Sequence, residues 1–395
     1  MDKHSAIRSQ QSAVAIVGAG PAGSSLAIRL ANRGFRVTLI ERERFPRHKL
    51  CGEFISPECF RHFEELGVKA AMFSKGGDRI TETRFFSPGG RSVAVPTTWF
   101  GSEEFALSLS RAEMDQQLLE RARSVGVEVI EGSRVVGAEL SNGRIASLTA
   151  KNDHGERSEI VADIFIDATG RSAVLKKFVD KYKPAKPDLI GFKAHLAGVE
   201  MEAGVCEIYF FAGGYGGLSH VEGGRSNFCF LVKSDVAKKF IGKTNDLFAF
   251  IQDKNRRAKG TLQNAVFSED WIGVSVDGFG SKQRSAISNL FAVGDAGAFI
   301  DPFTGSGILM ALQSSEILAI CLEKYSELTS AANEYNDLHH KLFRKRLAVS
   351  RVLRHAAFLP KAASAAIFFA GQSSYLRGIL ARATRSGLPH GDTSR

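Results

Sequence analysis

The stretch Val14-Ala-Ile-Val-Gly-Ala-Gly-Pro-Ala-Gly23 decides the fold of this 395-residue chain. Its four apolar residues predict a short buried strand, and the glycine-rich run that follows has the spacing of a turn that opens a helix. In such a turn Gly18 permits a tight bend, Gly20 lets a diphosphate approach the backbone, and Gly23 lets the helix pack closely on the strand. The helix N-terminus then faces the diphosphate. The stretch therefore predicts a dinucleotide-binding βαβ unit.

The residues after the turn complete that unit. Residues 24–32 have helical composition, Gly34 is suited to end a helix, and residues 36–40 predict a second strand. Glu41 ends this strand at the distance expected for an acid that binds a ribose. The same glycines could form a turn without a ligand, but the matched spacing of the acid favours a bound dinucleotide.

Composition excludes several classes of protein. With 44% hydrophobic and 24% charged residues, the chain has the composition of a folded enzyme rather than a disordered protein. Five cysteines without a CxxC spacing argue against a disulfide framework and a structural zinc site, and we expect no metal. The first apolar run, from Ala13, is too short for a signal peptide or a membrane span, so we expect a cytoplasmic protein.

The net charge of +10 lies entirely in the C-terminal part of the chain. Residues 338–395 contain 11 Lys or Arg and one acid, whereas the rest is balanced. A nucleic-acid-binding protein usually spreads basic residues over its folded body, so we expect no nucleic-acid partner.

The basic region also has an amphipathic pattern. One helical stripe is apolar and has Lys345 and Arg346 at its edges; it is formed by Leu342, Val349, Leu353 and Ala356. The pattern predicts peripheral contact of the C-terminal region with an anionic surface, such as the inner face of the membrane. The alternative is that the stripe packs on the core of the protein itself.

Two later motifs help to choose the dinucleotide, because a glycine turn with an acid fits both NAD and FAD. Asp167-Ala-Thr-Gly170 occurs in the middle of the chain, and Leu290-Phe-Ala-Val-Gly-Asp-Ala-Gly297 places an acid after a buried strand. Together with the first glycine turn, these motifs resemble the three fingerprints of the FAD-dependent aromatic hydroxylase superfamily. The resemblance implies bound FAD, with Gly294 and Asp295 at the ribityl chain.

Within that superfamily, the chain resembles most the branch of geranylgeranyl reductases and flavin-dependent halogenases. The marks are Glu41-Arg42, Phe45-Pro-Arg47, Lys49-Leu-Cys-Gly-Glu53 with Ser56-Pro57, and Asp301-Pro-Phe-Thr-Gly-Ser-Gly307. The resemblance places Arg111 against the diphosphate or ribose and the loop 301–307 beside the isoalloxazine ring. A helix beginning near Ile308 would direct its N–H groups toward the flavin. Arg111 could instead be a solvated arginine in the first turn of a helix.

The predicted FAD-binding residues follow from these motifs. They are Gly18, Gly20, Pro21, Ala22, Gly23, Glu41, Arg42, Arg111, Gly294, Asp295, Gly305, Ser306 and Gly307.

Cys51 is the predicted catalytic residue. The pair Cys51-Gly52 resembles a Cys-Gly pair that geranylgeranyl reductases hold next to the flavin and that halogenases lack. An inert buried thiol is the alternative interpretation. His195 and His220 are the histidines of the predicted substrate domain, and each could be an acid-base group or a structural residue.

Two family signatures are missing. The Trp-x-Trp-x-Ile-Pro signature of halogenases is absent, since the two tryptophans, Trp99 and Trp271, lie in other contexts. The Tyr-x-Trp-x-Phe-Pro stretch typical of geranylgeranyl reductases keeps only Tyr215. Halogenation therefore becomes a minor option, and the substrate need not be a prenyl chain.

We predict an α/β protein with a Rossmann-like FAD-binding domain, an antiparallel-sheet substrate domain and a helical C-terminal extension. The FAD-binding domain would be discontinuous and comprise residues 1–75, 105–178 and 286–330. The substrate domain would comprise residues 76–104 and 179–285, and the basic extension residues 331–395.

The predicted function is that of an FAD-dependent oxidoreductase that transfers hydride from reduced flavin to a carbon–carbon double bond of an apolar small molecule or lipid. Hydroxylation through oxygen activation is the main alternative, and halogenation and flavin-mediated electron transfer are the others. Because a second GxGxxG motif is absent, NAD(P)H would visit the same cleft transiently, or a separate reductase would supply the electrons.

Overall fold

The computed structural model describes residues 12–100, 104–180, 187–282 and 285–383. The strands are, in chain order, β1 (Ala13–Val17), β2 (Arg36–Ile40), β3 (Phe54–Ile55), β4 (Asp78–Ile80), β5 (Glu82–Phe86), β6 (Ser92–Pro96), β7 (Ala106–Ser108), β8 (Glu128–Ile130), β9 (Ser133–Ser141), β10 (Arg144–Asn152), β11 (Arg157–Val161), β12 (Ile164–Asp167), β13 (Leu189–Ala197), β14 (Val205–Phe211), β15 (Gly214–His220), β16 (Ser226–Lys233), β17 (Val266–Phe267), β18 (Ile272–Val276), β19 (Gly280–Ser281), β20 (Leu290–Ala292) and β21 (Ala298–Phe299). The helices are α1 (Pro21–Ala31), α2 (Cys59–Leu66), α3 (Lys69–Ser74), α4 (Arg111–Ser124), α5 (Val174–Val179), α6 (Ser234–Ala237), α7 (Thr244–Lys254), α8 (Arg256–Thr261), α9 (Gly307–Lys324), α10 (Leu328–Ala357), α11 (Pro360–Gln372) and α12 (Ser374–Ala383).

The first layer is a five-stranded parallel sheet with the strand order β20-β12-β1-β2-β8. Its central strand β1 is apolar and buried, as expected for a parallel strand covered on both faces. Val17 at the end of β1 pairs with Ile40 on one side and Asp167 on the other. The loops that follow these three strands therefore meet at one edge of the sheet, where ligands bind in open α/β folds.

Helix α1 begins at Pro21, three residues earlier than its sequence composition predicts, because the fixed φ of proline suits the first helical position. Gly18 has φ 102°, and a Cβ on Gly23 would lie 1.8 Å from the carbonyl oxygen of Gly18. Both positions therefore require glycine, and the predicted roles of bend and close packing fit this geometry.

The second layer is an eight-stranded, mostly antiparallel sheet. Its strand order is β17-β13-β16-β15-β14-β5-β6, and β18 also pairs with β13. The strands β14 and β5 run parallel. A buried aromatic cluster fills one face and includes Tyr209, Phe211, Phe228 and Phe230. The predicted Rossmann-like domain and antiparallel sheet are thus confirmed.

Three smaller sheets complete the described part of the fold, and one of them is the antiparallel pair β19 and β21. Strands β9, β10 and β11 form an antiparallel sheet beside the parallel one, and β3 and β4 pair with β7. The latter sheet joins segments that the sequence pattern divided between the two domains.

The C-terminal helices pack on both layers. Helix α10 runs across the predicted boundary between residues 330 and 331. Tyr335 belongs to the core of the FAD-binding domain, and its hydroxyl donates to the carbonyl oxygen of Ala292 at 2.7 Å. Phe358 packs against the substrate sheet at Tyr215.

The protein covers the apolar stripe on α10 only in part, since Val349, Leu353 and Ala356 are half-buried. Leu342 is buried, and Arg346, expected at the edge of the stripe, is fully buried and donates to Oε1 of Gln313 at 3.0 Å. Among the described residues, no helix combines the length and the apolar character needed to cross a bilayer.

Candidate active site

A cleft of about 940 Å³ opens between the parallel sheet and the substrate sheet. Both domains contribute to its walls. The predicted site residues that line it are Gly18, Gly20, Pro21, Ala22, Glu41, Arg42, Cys51, Arg111, Gly294, Asp295, Gly305 and Gly307. Gly23 and Ser306 lie behind the wall: Gly23 packs against β1, and the buried hydroxyl of Ser306 donates to the carbonyl oxygen of Thr304 at 3.3 Å.

At one end of the cleft, the N-terminus of α1 faces a concentration of positive charge. Lys49 lines the cleft, and burial, together with the nearby charges of Arg47 and Arg42, lowers its pKa to about 8. An anion would relieve this crowding. The end of the cleft therefore fits a diphosphate held by backbone N–H groups and basic side chains.

Glu41 closes this end of the cleft from the tip of β2. Its Oε2 accepts the backbone N–H of Ala19 at 2.8 Å, and its Oε1 accepts that of Glu43 at 3.1 Å. Each carboxylate oxygen has a further lone pair available for a ribose hydroxyl. The predicted ribose role therefore fits the geometry.

Arg111 stands in a buried chain of alternating charges. Its guanidinium donates to both carboxylate oxygens of Asp115, at 2.8 and 2.7 Å, and Asp115 also accepts from Arg47 at 3.0 Å. Arg47 in turn lies 3.6 Å from the carboxylate of Glu41. Arg111 is therefore a fixed part of the cleft wall and not the solvated arginine of the alternative interpretation.

The two acids of the later motifs have different environments. Asp167 uses its carboxylate within the protein, accepting from Thr169 and from backbone N–H groups at the start of α5. Asp295 lines the cleft, and burial raises its pKa to about 6 although Arg171 and Lys282 oppose the shift. Asp295 is thus the acid available to a ligand.

The loop 301–307 is anchored to the substrate sheet. The hydroxyl of Tyr215 donates to Oδ1 of Asp301 at 2.5 Å, and the ring of Phe303 packs edge-on against that of Tyr215. Gly305 adopts φ 59°, and α9 begins at Gly307. The anchoring fixes glycine backbone and a helix N-terminus along the cleft wall.

Cys51 lies where the cleft reaches the substrate sheet. Its Sγ accepts the backbone N–H of Glu53 at 3.3 Å, and the guanidinium of Arg111 is close by. Cys229 lines the cleft on the facing sheet, but burial raises its pKa to about 12, which keeps that thiol protonated.

Next to Cys51, the structure assembles a buried charged cluster around His195, whose partners Glu53 and Lys193 sequence reasoning did not identify. Glu53 is fully buried and adopts φ 55°, which is rare outside glycine. Its Oε1 accepts the backbone N–H of Arg111 at 2.8 Å and the ammonium of Lys193, and its Oε2 lies 2.7 Å from Nε2 of His195. We define Glu53, Lys193 and His195 as the buried triad.

The triad continues outward to Glu269. Nδ1 of His195 lies 3.0 Å from Oε2 of Glu269, which is about 3.5 Å from Nε2 of His48. His48, His195 and Glu269 place potential metal-ligand atoms within 4.8 Å of one another, a grouping that sequence spacing does not reveal. The positive charges of Arg225, which donates to Oε1 of Glu269, and of the nearby Lys193 disfavour a bound metal ion.

Part of the cleft lining is apolar, and we call it the apolar arm. It is lined by Phe54, Phe85, Phe100, Ile208, Leu218 and Phe303. An apolar ligand could therefore share the cleft with Cys51 and with Glu53 of the triad.

The fold, the diphosphate end and the available acids together define an FAD-dependent oxidoreductase. The chain belongs to the family of the FAD binding domain, which it matches over residues 11–335. The predicted cofactor and enzyme class are confirmed.

Similar proteins include reductases and halogenases. The chain is 29% identical over 313 residues to a digeranylgeranylglycerophospholipid reductase of Methanosarcina mazei, covering 77% of this chain and 73% of that protein. It is 26% identical to a menaquinone reductase of Mycobacterium tuberculosis, covering 78% and 76%, and 26% identical to a tryptophan 2-halogenase of Chondromyces crocatus, covering 78% and 60%.

Solved structures share the fold. A geranylgeranyl bacteriochlorophyll reductase-like protein from Thermoplasma acidophilum has a TM-score of 0.78 at 20% identity, covering 96% of this chain and 97% of the other. A flavin-dependent brominase has a TM-score of 0.77 at 19% identity, covering 95% and 93%. These structures confirm the predicted fold, and the family match together with the reductase and halogenase relatives confirms the predicted superfamily.

Proposed function

We propose that this oxidoreductase reduces a carbon–carbon double bond in an apolar small molecule or lipid. The observation that carries the proposal is that the apolar arm, Cys51 and Glu53 of the buried triad line the same cleft. Two of the similar proteins are named as reductases of a prenylated phospholipid and of menaquinone, which supports an apolar substrate.

Bound FAD in its reduced form supplies the hydride in such a reaction. The aromatic arm would orient the double bond and exclude water, while the anchored loop 301–307 would hold one wall of the reaction site rigid. Cys51 would contact the substrate at the reacting end. The triad favours this reaction over a role in electron transfer, because saturation of a double bond consumes a proton that the protein must supply.

We further propose that the C-terminal helices contact an anionic membrane surface and that the substrate comes from this membrane. Exposed apolar side chains cluster on α11 and α12 and just before them: Leu359, Phe368, Phe369, Tyr375 and Ile379. We call them the apolar rim. Arg91 stacks over Phe368 at 5.0 Å, and Arg377 stacks over Trp99 at 5.7 Å.

Charge and position favour a bilayer as the occupant of this rim. No acid occurs in residues 338–391, so the surface is basic as well as apolar. Trp99 precedes Phe100, which lines the apolar arm, and the rim thus lies near that arm. A lipid substrate could pass from the bilayer toward the cleft with its apolar part covered.

The test is a single-turnover experiment. The protein is reconstituted with FAD, reduced without oxygen by dithionite, and mixed with menaquinone or a geranylgeranylated lipid in detergent. The expected product has gained two hydrogen atoms by mass spectrometry as the flavin reoxidises. Flavin that stays reduced with every apolar alkene, together with oxygen incorporation into a ligand in air, would favour the hydroxylase alternative.

A further inference from the structure

The buried triad connects the cleft to the outside of the protein through a second carboxylate. Glu53 borders the cleft, whereas His195 is fully buried and Glu269, which does not line the cleft, is partly exposed. The contacts run from Glu269 to Nδ1 of His195 at 3.0 Å and from Nε2 of His195 to Glu53 at 2.7 Å.

The histidine in this chain faces a carboxylate oxygen at each ring nitrogen. In the neutral ring, Nε2 can donate its proton to Glu53 while Nδ1 accepts one from the side of Glu269. Loss of a proton from one side and gain on the other leaves the ring in place, which is the arrangement used by proton-shuttling histidines. The two flanking acids lie on different elements: Glu53 in the loop before β3, and Glu269 before β18.

The charges around the chain hold it in a defined resting state. Lys193 and the hydrogen bond from His195 outweigh the effect of burial and keep the pKa of Glu53 below its ordinary value. The other groups near Glu53 are Cys51, Cys229 and the backbone N–H of Arg111.

The outer end of the chain has its own fixed charges. Arg225 donates to Oε1 of Glu269 at 2.7 Å and also bonds Glu222. His48 lies 3.5 Å from Glu269, and burial lowers its pKa. These contacts orient Oε2 of Glu269 toward His195.

We propose that Glu53, His195 and Glu269 form a proton pathway into the FAD cleft, and that this pathway takes up one proton for every two electrons delivered to the bound flavin. Negative charge that arises in the cleft raises the proton affinity of Glu53, the group of the chain that borders it. A proton then enters at Nδ1 of His195 from the side of Glu269 and solvent, and the proton on Nε2 passes to Oε2 of Glu53.

Delivery of this proton to a substrate carbon rests on the proposed function. Saturation of one double bond adds a hydride to one carbon, and the π electron pair forms the second C–H bond with the proton from Glu53. His195 reprotonates Glu53, and solvent restores the pathway. Atoms and charge balance with one hydride and one proton per double bond.

The experiment measures proton uptake without any substrate. The reduction potential of the FAD-loaded protein is determined by dye-linked dithionite titration at pH values from 6 to 8. We expect the unchanged protein to take up two protons per two electrons, one on the flavin and one in the pathway. The Glu53→Gln and His195→Gln proteins should each take up one proton per two electrons. The slope of the reduction potential against pH should therefore fall from about 59 to about 30 mV per pH unit.

A matched control removes a carboxylate that contacts another buried histidine. Glu316 lies 3.8 Å from His62, outside the cleft lining, and Glu316→Gln should leave the slope unchanged. His195 does not line the cleft, so His195→Gln keeps the test valid if Glu53→Gln fails to hold FAD.

An unchanged slope in the His195 variant would overturn the pathway. Because the measurement uses no substrate, a failed reductase assay with a changed slope would reject the proposed function and keep the pathway. A changed slope in the Glu316 variant as well would point to a general effect of charge and would also overturn the proposal.

Discussion

Oε2 of Glu53 lies 2.7 Å from Nε2 of His195, although the two residues are 142 positions apart in the chain. The first comes from the loop that carries the Cys-Gly pair, and the second from β13, an inner strand of the substrate sheet. This contact therefore links the two layers beside the cleft, which Glu53 lines.

Gly20 should be required for FAD retention. A Cβ there would lie 3.7 Å from Nη2 of Arg111, and a longer side chain would enter the diphosphate end. We expect Gly20→Leu to purify folded but without flavin absorbance. Gly89 is exposed, and a Cβ there would meet no atom within 4 Å, so Gly89→Leu is the control and should keep FAD. Normal flavin content in Gly20→Leu would refute the diphosphate role.

Asp295 should make FAD binding depend on pH. Burial raises its pKa to about 6 in the protein without ligand, and a hydroxyl of the ribityl chain donates best to the ionised carboxylate. Affinity for FAD should therefore rise as the pH increases through about 6. Asp295→Asn should lower affinity about tenfold or more at pH 7.5 and flatten this dependence. Calorimetric titration with FAD between pH 5 and 8 measures both effects.

Cys51 should affect turnover more than cofactor binding. Its thiol lines the cleft beside Arg111, whereas Cys321 is buried in the FAD-domain core. Cys51→Ala should keep FAD and slow reoxidation of the reduced flavin by an apolar alkene about tenfold or more. Cys321→Ala should turn over at the normal rate. Equal rates for all three proteins would return Cys51 to the role of an inert thiol.

The apolar rim should bind anionic vesicles. Phe368→Ser with Phe369→Ser should lower co-sedimentation with phosphatidylglycerol vesicles at low salt, and phosphatidylcholine vesicles should bind weakly, because nearby basic residues each contribute about 1 kcal/mol on anionic lipid. Ile241→Ser is the control, since Ile241 is 78% exposed and lies elsewhere. Truncation after Asp337 would be a poor test because it removes the buried Phe343.

Absence of vesicle binding by the unchanged protein would end the membrane proposal. Loss of binding in the control as well would show that the rim is not its site. Binding of an acidic protein instead of vesicles would assign the rim to a different partner.

His62 should make the protein sensitive to acid. Burial and the charges of Arg61 and Arg29 lower its pKa to about 3, so unfolding near pH 5 is accompanied by proton uptake. The free energy of unfolding should fall by about 1.4 kcal/mol per pH unit as the pH drops from 6.5 toward 3. His62→Gln should reduce this slope, and substitution of the exposed His154 should not. Thermal unfolding across this pH range provides the comparison.

The sequence predicted the parts of the site that depend on local backbone geometry. Gly18 and Gly23 are recognisable because a turn and a close approach need glycine at fixed spacing. The position of Asp295 follows from the strand before it, since carboxyl ends of parallel strands meet at one edge.

The buried triad could not be predicted in this way. Glu53 ends a family motif that assigns it no role, and Lys193 lies two residues before a histidine on an ordinary strand pattern. Their proximity depends on the packing of one layer on the other. The positive φ of Glu53 could not be predicted from its residue type either, because glutamate rarely adopts this conformation.

Most of the exposed apolar residues of the C-terminal region lie outside the helix whose stripe the sequence pattern predicts. The periodicity of α10 gives an apolar stripe correctly, but periodicity does not say whether solvent or protein covers it. Arg346 is buried there, and the exposed aromatic residues belong to α11 and α12. Whether protein or solvent covers the stripe depends on how the other elements pack around the helix, and the sequence of the helix alone does not show that packing.

Helix α10 contributes to three separate hydrophobic clusters along its length. Tyr335 belongs to the FAD-domain core, Phe343 to a cluster with Met310, and Ala357 to a cluster with Tyr215 of the substrate sheet. Fraying of this one element would expose apolar surface in both layers at once. The two domains should therefore denature in a single cooperative transition, and proteolytic nicking within α10 should release neither of them as a stable fragment.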